Sequence, residues 1–100
     1  MPEHNQATTR FEWDDAKARE NLLKHGVGFE EASTVFNDPL SVTRPDPDHS
    51  DAENRFIDIG VSNMNQLLVV VYTERGPRIR LISARRATAN ERQKYEESII

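Results

Sequence analysis

The segment ISARRATANER, residues 82–92, carries a dense cluster of cations, with three arginines within eight positions. It lies where a β-rich run gives way to the start of a helix. Arginine binds phosphate through paired N–H donors, and the free backbone N–H groups at a helix N-terminus also attract anions. With Arg80 just upstream, Arg85 and Arg86 therefore form a candidate anion site, for which phosphate, and through it RNA or DNA, is the favoured ligand.

The direction of these arginines depends on the regularity of the strand that carries them. Side chains alternate between the two faces of a strand, so Arg80 and Arg85 point to opposite faces if the strand is regular. A bulge, or the end of the strand near Ala84, would turn one of them. Arg86 lies beyond the strand, and its direction is open. An alternative without a ligand, in which the arginines lie along the rim of the sheet in solvent, stays open as well.

A second candidate group, Lys24-His25-Gly26, lies at the end of the first predicted helix. Cations near a helix C-terminus interact favourably with the helix dipole, and glycine adopts the left-handed conformation that ends a helix. These residues therefore have a sufficient structural explanation. The functional alternative is that Lys24 and His25 extend past the end of the helix into a neighbouring cleft, where either one transfers a proton.

The composition excludes several other kinds of chemistry. The chain has no cysteine, which excludes disulfides, thiolate metal sites and thiol catalysis. Its three histidines, at positions 4, 25 and 49, lack the spacing of a metal site, and its four glycines are too scattered for a phosphate-binding loop. We therefore expect no metal and no cofactor. The longest apolar run, LLVVVY at 67–72, is too short to cross a membrane, so we expect a soluble protein of the cytoplasm.

Charge is unevenly divided along the chain, although the whole carries a net charge of −4. Residues 1–54 contain five basic and 12 acidic side chains, a net charge of −7, whereas residues 55–100 contain eight and five, a net charge of +3. Seven of the eight late cations are arginines. This asymmetry is typical of a chain with an anion-binding surface on one half, and a solvated charged surface is the alternative.

Hydrophobic periodicity predicts an α+β domain in the order β-α-α-β-β-β-α, with helices packed on an antiparallel sheet. We expect residues 1–9 to form a flexible leader and residues 10–100 to form a single domain. Residues 44–54, which are acidic and contain prolines, are expected to form a loop. The predicted elements are a strand at 10–13, helices at 15–24 and 29–36, strands at 56–61, 67–73 and 78–85, and a helix from 88 towards 99.

Capping residues support the predicted helix boundaries. Asp14 or its neighbour provides the N-cap of the first helix. Thr88 and Glu91 match a capping box at the start of the last helix. On that helix, Tyr95 and Ile99 are spaced to pack on the sheet, and we interpret Tyr95 as a core residue more than as a chemical group.

Three stretches of the chain resemble the BrnT toxins of type II toxin–antitoxin modules. They are FEWDDAKARENLLKHGVGFEEASTVFNDP, then Arg55 with Gly60 downstream of it, then VVVYTERGPRIRLISARRATANERQKYE, and together they cover about residues 11–96. The resemblance implies a RelE-like fold and a ribonuclease that inhibits translation by cutting RNA. It implies a BrnA-like antitoxin with a ribbon-helix-helix-type DNA-binding part as partner, and contact with operator DNA only through that complex.

The resemblance also assigns the family pattern to particular residues. Gly28 departs from the pattern, since a serine, threonine or aspartate is expected to cap the second helix there, and we expect glycine to weaken that helix slightly. The acidic net charge is likewise unusual for a nuclease. The matching residues are Trp13, Asp14, Lys17, Asn21, Lys24, His25, Gly26, Arg55, Arg80, Ser83, Arg85, Arg86, Glu91, Arg92 and Tyr95.

A metal-independent cleavage of RNA is consistent with these residues and with the ribonuclease that the resemblance implies. The 2′-hydroxyl attacks the neighbouring phosphate, and the reaction needs a proton acceptor, cations beside the phosphate oxygens and a proton donor for the leaving 5′-oxygen. Arginine keeps its proton and therefore serves the phosphate. We expect folding to gather the candidate residues around one phosphate-sized pocket. The candidates are Lys24 and His25 for proton transfer, and Arg55, Arg80, Arg85 and Arg86 for the phosphate.

Two other classes of function remain open on the sequence alone. The chain fits a non-catalytic module that binds a partner protein, with its arginines paired to acidic side chains instead of phosphate. A DNA-binding repressor acting alone fits less well, because no predicted helix carries the clustered basic residues of a recognition helix. The last helix, for example, has Arg92 and Lys94 but also three glutamates, at 91, 96 and 97.

Overall fold

The computed structural model describes residues 10–47 and 54–99, so the leader predicted at 1–9 and the middle of the predicted loop lie outside the described residues. The predicted α+β class and order of elements are confirmed, with one additional strand. The elements are β1 (Phe11–Glu12), α1 (Asp15–His25), α2 (Phe29–Ser33), a 3₁₀ helix (Thr34–Asn37), β2 (Val42–Pro45), β3 (Arg55–Val61), β4 (Leu67–Arg75), β5 (Arg78–Arg86) and α3 (Ala89–Glu97).

The strands form one five-stranded sheet in the order β1-β5-β4-β3-β2. The sheet is antiparallel except at its β1 edge, where the two residues of β1 pair in parallel with β5. The additional strand is β2, which pairs with β3 and includes the first two residues of the predicted loop. Four residues ending in a proline are too short a pattern to predict a strand, and the proline is tolerated because β2 lies at the sheet edge.

Local hydrogen bonds set the ends of α1 as its sequence predicts. The Asp14 side chain accepts a hydrogen bond from the backbone N–H of Ala16 at 2.8 Å. At the other end, Gly26 adopts a left-handed conformation with φ of 71°, and its N–H donates to the carbonyl of Leu22. A residue with a side chain is strained in that conformation, so glycine is the favoured residue directly after His25.

The other two helices follow the prediction only in part. The helix predicted at 29–36 is divided into α2 and the 3₁₀ helix, and Gly28 provides no side-chain cap. The capping box of α3 is present, with both Thr88 and Glu91 forming their reciprocal bonds. The prediction that Ile99 packs on the sheet is wrong, because α3 ends at Glu97 and Ile99 is 46% exposed.

Helices cover both faces of the sheet. Helices α1 and α2 lie on one face, called here the α1–α2 face, and α3 lies on the opposite α3 face. Tyr95 of α3 is 7% exposed, and its hydroxyl donates to Asp38 Oδ2 at 2.7 Å, which confirms the interpretation of Tyr95 as a core residue. The buried core of the α1–α2 face consists of Val27, Phe29, Ala32, Val35, Leu68, Val70, Tyr72, Leu81 and Ala84. The smaller core of the α3 face consists of Ile59, Leu67, Val69 and Tyr95.

Candidate functional site

A bulge in β5 decides where its arginines point. In the pairing of β4 with β5, Val71 lies opposite Ser83 and Tyr72 lies opposite Leu81, so Ile82 is an extra residue on β5. The extra residue shifts the alternation of side chains by one position. As a result Arg80 and Arg85, which a regular strand places on opposite faces, share the α3 face.

The position of Arg86 follows from the same register. Arg86 pairs with Leu68, whose side chain belongs to the core of the α1–α2 face. Arg85 pairs with Val69, which belongs to the core of the α3 face. The two adjacent arginines therefore leave the end of β5 on opposite sides of the sheet. From the sequence we expected the six candidate residues to surround one pocket. In the structure they form two groups instead.

Arg85 is held by an acidic side chain of the same molecule. Its two terminal nitrogens donate to the two carboxylate oxygens of Glu91, each at 2.8 Å. The hydrogen bonds from Arg85 lower the pKa of Glu91 to about 2, and the Thr88 N–H bond acts in the same direction, against the opposing effect of burial. Bidentate pairs of this kind fix both geometry and orientation. Arg85 therefore fastens the first turn of α3 to the end of β5.

Arg80 and Arg55 lie farther along the same face of the sheet. Thr73 of β4 lies between them, because it pairs with Arg55 on one side and with Arg80 on the other. Arg80 also forms an ion pair of 3.0 Å with Glu12 of β1. Strands two apart in a sheet are separated by about 10 Å, a distance that long arginine side chains bridge when they bind one extended ligand.

The register places further arginines on this side, and we call the whole surface the arginine face. Two of its arginines pair with acidic side chains, Arg80 with Glu12 and Arg85 with Glu91. A pocket of about 240 Å³ lies where the arginine face meets α3, and Arg44 and Lys94 are among its lining residues. The arginine face consists of Arg44, Arg55, Arg75, Arg78, Arg80 and Arg85.

A second group forms on the other side of β5, at the end of α1. The two terminal guanidinium nitrogens of Arg86 lie 3.9 and 4.0 Å from the position that a Cβ atom on Gly26 would occupy. Gly26 directly follows Lys24 and His25 in the chain. The side chains of Lys24 and Arg86 belong to exposed residues, and His25 is half-buried. Lys24, His25 and Arg86 are called here the helix-end cluster.

Asn21 is the residue that brings the end of α1 to β5. It is 6% exposed, and its Nδ2 atom donates to the carbonyls of Val27 and Ala84 at 2.9 and 2.8 Å. Its Oδ1 atom accepts from the N–H of Ala84 at 3.1 Å. The amide therefore pairs with β5 as a neighbouring strand would, beyond the two residues that β1 covers. Only the family pattern had indicated Asn21, because nothing in local spacing reveals a partner 63 positions away.

Two residues that the sequence did not indicate connect to Arg86. The Nε atom of Arg86 donates to Gln66 Oε1 at 2.7 Å, and Gln66 Nε2 donates to Glu31 Oε2 at 2.9 Å. Glu31 Oε2 also accepts from the hydroxyl of Ser62 at 2.7 Å. Gln66 lies between the strands predicted at 56–61 and 67–73, and Glu31 lies within the helix predicted at 29–36. Their proximity depends on the packing of α2 beside the β3–β4 turn, for which the sequence has no local signal.

Neither group contains an evident metal site. Within residues 10–47 and 54–99, no three side chains of His, Asp or Glu are grouped as ligands for an ion. No helix in these ranges is both long enough and apolar enough to cross a membrane.

Comparisons with known proteins agree with the fold. The model of the family described as "Ribonuclease toxin, BrnT, of type II toxin-antitoxin system" matches residues 13–91, a range that contains all six candidate residues. The crystal structure of the ribonuclease toxin BrnT of Brucella abortus matches with a TM-score of 0.56 and 25% sequence identity, covering 76% of this chain and 92% of that one. No curated protein sequence matches the chain.

Proposed function

Because this chain belongs to the BrnT family of ribonuclease toxins of type II toxin–antitoxin systems, we propose that it inhibits translation in the cytoplasm by cutting RNA in a metal-independent reaction. The observation that carries this proposal is the approach of the Arg86 guanidinium to the end of α1, about 4 Å from a Cβ position on Gly26, the residue that follows Lys24 and His25 in the chain. A phosphate-binding cation and two groups that exchange protons are the parts that this reaction requires.

The helix-end cluster performs the chemical step. The 2′-oxygen of RNA bonds to phosphorus while the bond from phosphorus to the 5′-oxygen breaks, which leaves a 2′,3′-cyclic phosphate and a 5′-hydroxyl. Lys24 and His25 divide the two proton transfers, one accepting the proton of the 2′-hydroxyl and the other donating a proton to the leaving oxygen. Arg86 stabilises the negative charge that builds up on the phosphate oxygens in the transition state.

The arginine face binds the RNA backbone on either side of the cut. Arg55 and Arg80 contact phosphates, since arginine forks match phosphate oxygens in pairs and bind without regard to base sequence. Arg85 acts differently, because its bidentate pair with Glu91 holds α3 in place. RNA therefore extends along the sheet face and passes the end of β5 to reach the helix-end cluster.

The protein works with a partner. A BrnA-like antitoxin neutralises the toxin, and the complex of the two represses its own operon by binding operator DNA through the antitoxin. A non-catalytic module that binds only a partner protein is the second candidate function. This candidate is favoured by the ion pairs of Arg80 with Glu12 and of Arg85 with Glu91, because these arginines bind carboxylates instead of phosphate.

Cleavage of a labelled RNA in the presence of EDTA tests the proposed function. The parent protein is expected to cleave despite the chelator, and Arg86→Ala is expected to be about 10²- to 10³-fold slower, as for the loss of one charge-stabilising donor. Lys24→Ala and His25→Ala are also expected to slow cleavage. Arg19→Ala, which removes an exposed cation of α1 outside both groups, is the matched control and is expected to cleave like the parent.

Three results of this assay would contradict the proposed function, each in a different part. Equal rates for the parent and Arg86→Ala contradict the role given to the helix-end cluster. Cleavage that EDTA abolishes contradicts the metal-independent reaction. An absence of cleavage by the parent under all conditions supports the partner-binding module instead.

A further inference from the structure

We propose that Gln66 and Glu31 are positioning residues, which together hold the guanidinium of Arg86 in the direction that the reaction needs. This inference rests on the proposed role of Arg86 in phosphate binding. It concerns a relay of hydrogen bonds from Arg86 through Gln66 to Glu31, with lengths of 2.7 and 2.9 Å. The relay ends on Ser62, whose hydroxyl donates a hydrogen bond to Glu31 Oε2 at 2.7 Å.

The chemistry of the relay requires an amide at its centre. Arg86 only donates hydrogen bonds and an ionised Glu31 only accepts them, so the residue between them must accept on one side and donate on the other. Gln66 does so in one orientation of its amide, with Oε1 toward Arg86 and Nε2 toward Glu31. The direction of every bond in the relay is therefore fixed.

The relay also determines which edge of Arg86 meets the substrate. The bond to Gln66 occupies Nε, so the two terminal nitrogens remain as the phosphate-binding fork. Those terminal nitrogens are the atoms that lie beside Gly26. A long side chain at an exposed strand end otherwise samples many rotamers, and fixing Nε removes most of that freedom before RNA binds.

The neutral amide has a further consequence for charge. Arg80 and Arg85 each contact a carboxylate directly, at 3.0 and 2.8 Å, and those contacts neutralise part of their charge. Gln66 instead separates Arg86 from the Glu31 carboxylate by the length of a side-chain amide. Arg86 is thus oriented by an acidic residue without being paired to it, and its charge stays available to a phosphate.

A double-mutant cycle on Gln66 and Arg86 tests the relay. Gln66→Met keeps the length of the side chain and removes both hydrogen-bonding groups. It is expected to lower kcat for RNA cleavage about tenfold, with a smaller change in KM, because positioning acts mainly in the transition state. In an Arg86→Ala background the same substitution is expected to cause no further loss, since the residue that it positions is already absent.

Controls distinguish positioning from a general effect on the fold. Gln93→Met removes a similar contact between Gln93 and Glu97 on the surface of α3, at 3.2 Å, and is expected to leave kcat unchanged. Thermal unfolding of each variant measures stability separately. Loss of the same factor from Gln66→Met in both backgrounds overturns the inference, because the residue then acts through the fold and not through Arg86.

The cycle also separates this inference from the proposed function. Normal cleavage by Gln66→Met together with slow cleavage by Arg86→Ala overturns the relay alone. Normal cleavage by Arg86→Ala overturns the proposed role of the helix-end cluster, and the relay with it.

Discussion

At the residue scale, three of the four arginines of β5, Arg80, Arg85 and Arg86, differ in what they can do because their partners differ. Arg85 forms two bonds of 2.8 Å with Glu91, and Arg80 forms one of 3.0 Å with Glu12. Arg86 instead donates to the neutral amide of Gln66. A guanidinium engaged by a carboxylate at both terminal nitrogens must lose that partner before it binds phosphate, whereas Arg86 binds phosphate without losing Gln66. The partner, more than the residue type, therefore separates a structural arginine from a candidate catalytic one.

The buried environment of Asp58 lowers the stability of the fold. It is 2% exposed, and its Oδ1 atom has no hydrogen-bond partner. Burial raises the pKa of Asp58, hydrogen bonds from Ser41 and Thr43 oppose that effect, and the nearby charge of Asp38 adds to it. The ionised form is thus less stable in the folded protein than in the unfolded chain.

We predict that Asp58→Asn increases the free energy of unfolding by about 1 kcal/mol at neutral pH, because the amide removes a desolvated charge. The pKa of Asp58 is higher in the folded protein than in the unfolded chain. Its carboxyl group therefore stabilises the fold at pH values below the unfolded pKa, and this contribution is lost as the pH rises through the folded pKa. Urea unfolding of both proteins across the acidic range measures the effect, and the gap between them is expected to widen with rising pH. A variant that is less stable than the parent at neutral pH contradicts this account.

At the element scale, the placement of α1 against β5 depends on one buried amide. β1 covers only the start of β5, and Asn21 satisfies the backbone of Ala84 on the uncovered edge. An exposed strand edge needs such protection. Because Lys24 and His25 lie one turn further along α1, the bonds of Asn21 also fix where the helix-end cluster forms.

We predict that Asn21→Asp lowers the free energy of unfolding by about 2–4 kcal/mol, since the carboxylate keeps one acceptor but removes both donors and leaves two carbonyls without partners. Urea unfolding at neutral pH measures the loss. Asn37→Asp, the same change at an exposed position, is the matched control and is expected to have little effect. Equal stability of the two variants is inconsistent with a structural role for the Asn21 amide.

At the scale of the whole molecule, the fold groups arginines that lie far apart in the sequence. The chain is acidic overall, with a net charge of −4, yet the strands place six arginines on one side of the sheet, where Glu12 and Glu91 pair with two of them. A charged face of this kind steers an anionic chain toward one side of a protein despite an unfavourable net charge. The net charge is therefore compatible with RNA binding.

We predict that the double variant Arg55→Gln, Arg80→Gln weakens RNA binding and reduces its dependence on salt. Each lost phosphate contact lowers the slope of log K against log salt by about 0.7 for single strands, so two contacts account for a decrease of about 1.4. Fluorescence anisotropy with a labelled RNA at several salt concentrations measures the slope. Lys17→Gln, Arg19→Gln, which removes the same charge from α1, is the control. An equal effect of the two double variants contradicts a specific role for the arginine face.

The sequence by itself determined the features that depend on neighbouring residues. The order of elements, the Asp14 cap, the left-handed Gly26 and the Thr88–Glu91 capping box all follow from periodicity and capping within a few positions. The family resemblance followed from long motifs in the same way, and the match over residues 13–91 confirms it.

Only the tertiary structure decided how the candidate residues are grouped. The Ile82 bulge moved Arg80 and Arg85 to one face, and the register placed Arg86 on the other, beside the end of α1. The contacts of Asn21 with Ala84 and of Gln66 with Glu31 join positions far apart in the chain. The physical reason is that a shift of one residue in a strand reverses the face of every later side chain, and such a shift is set by pairing between strands and not by local composition.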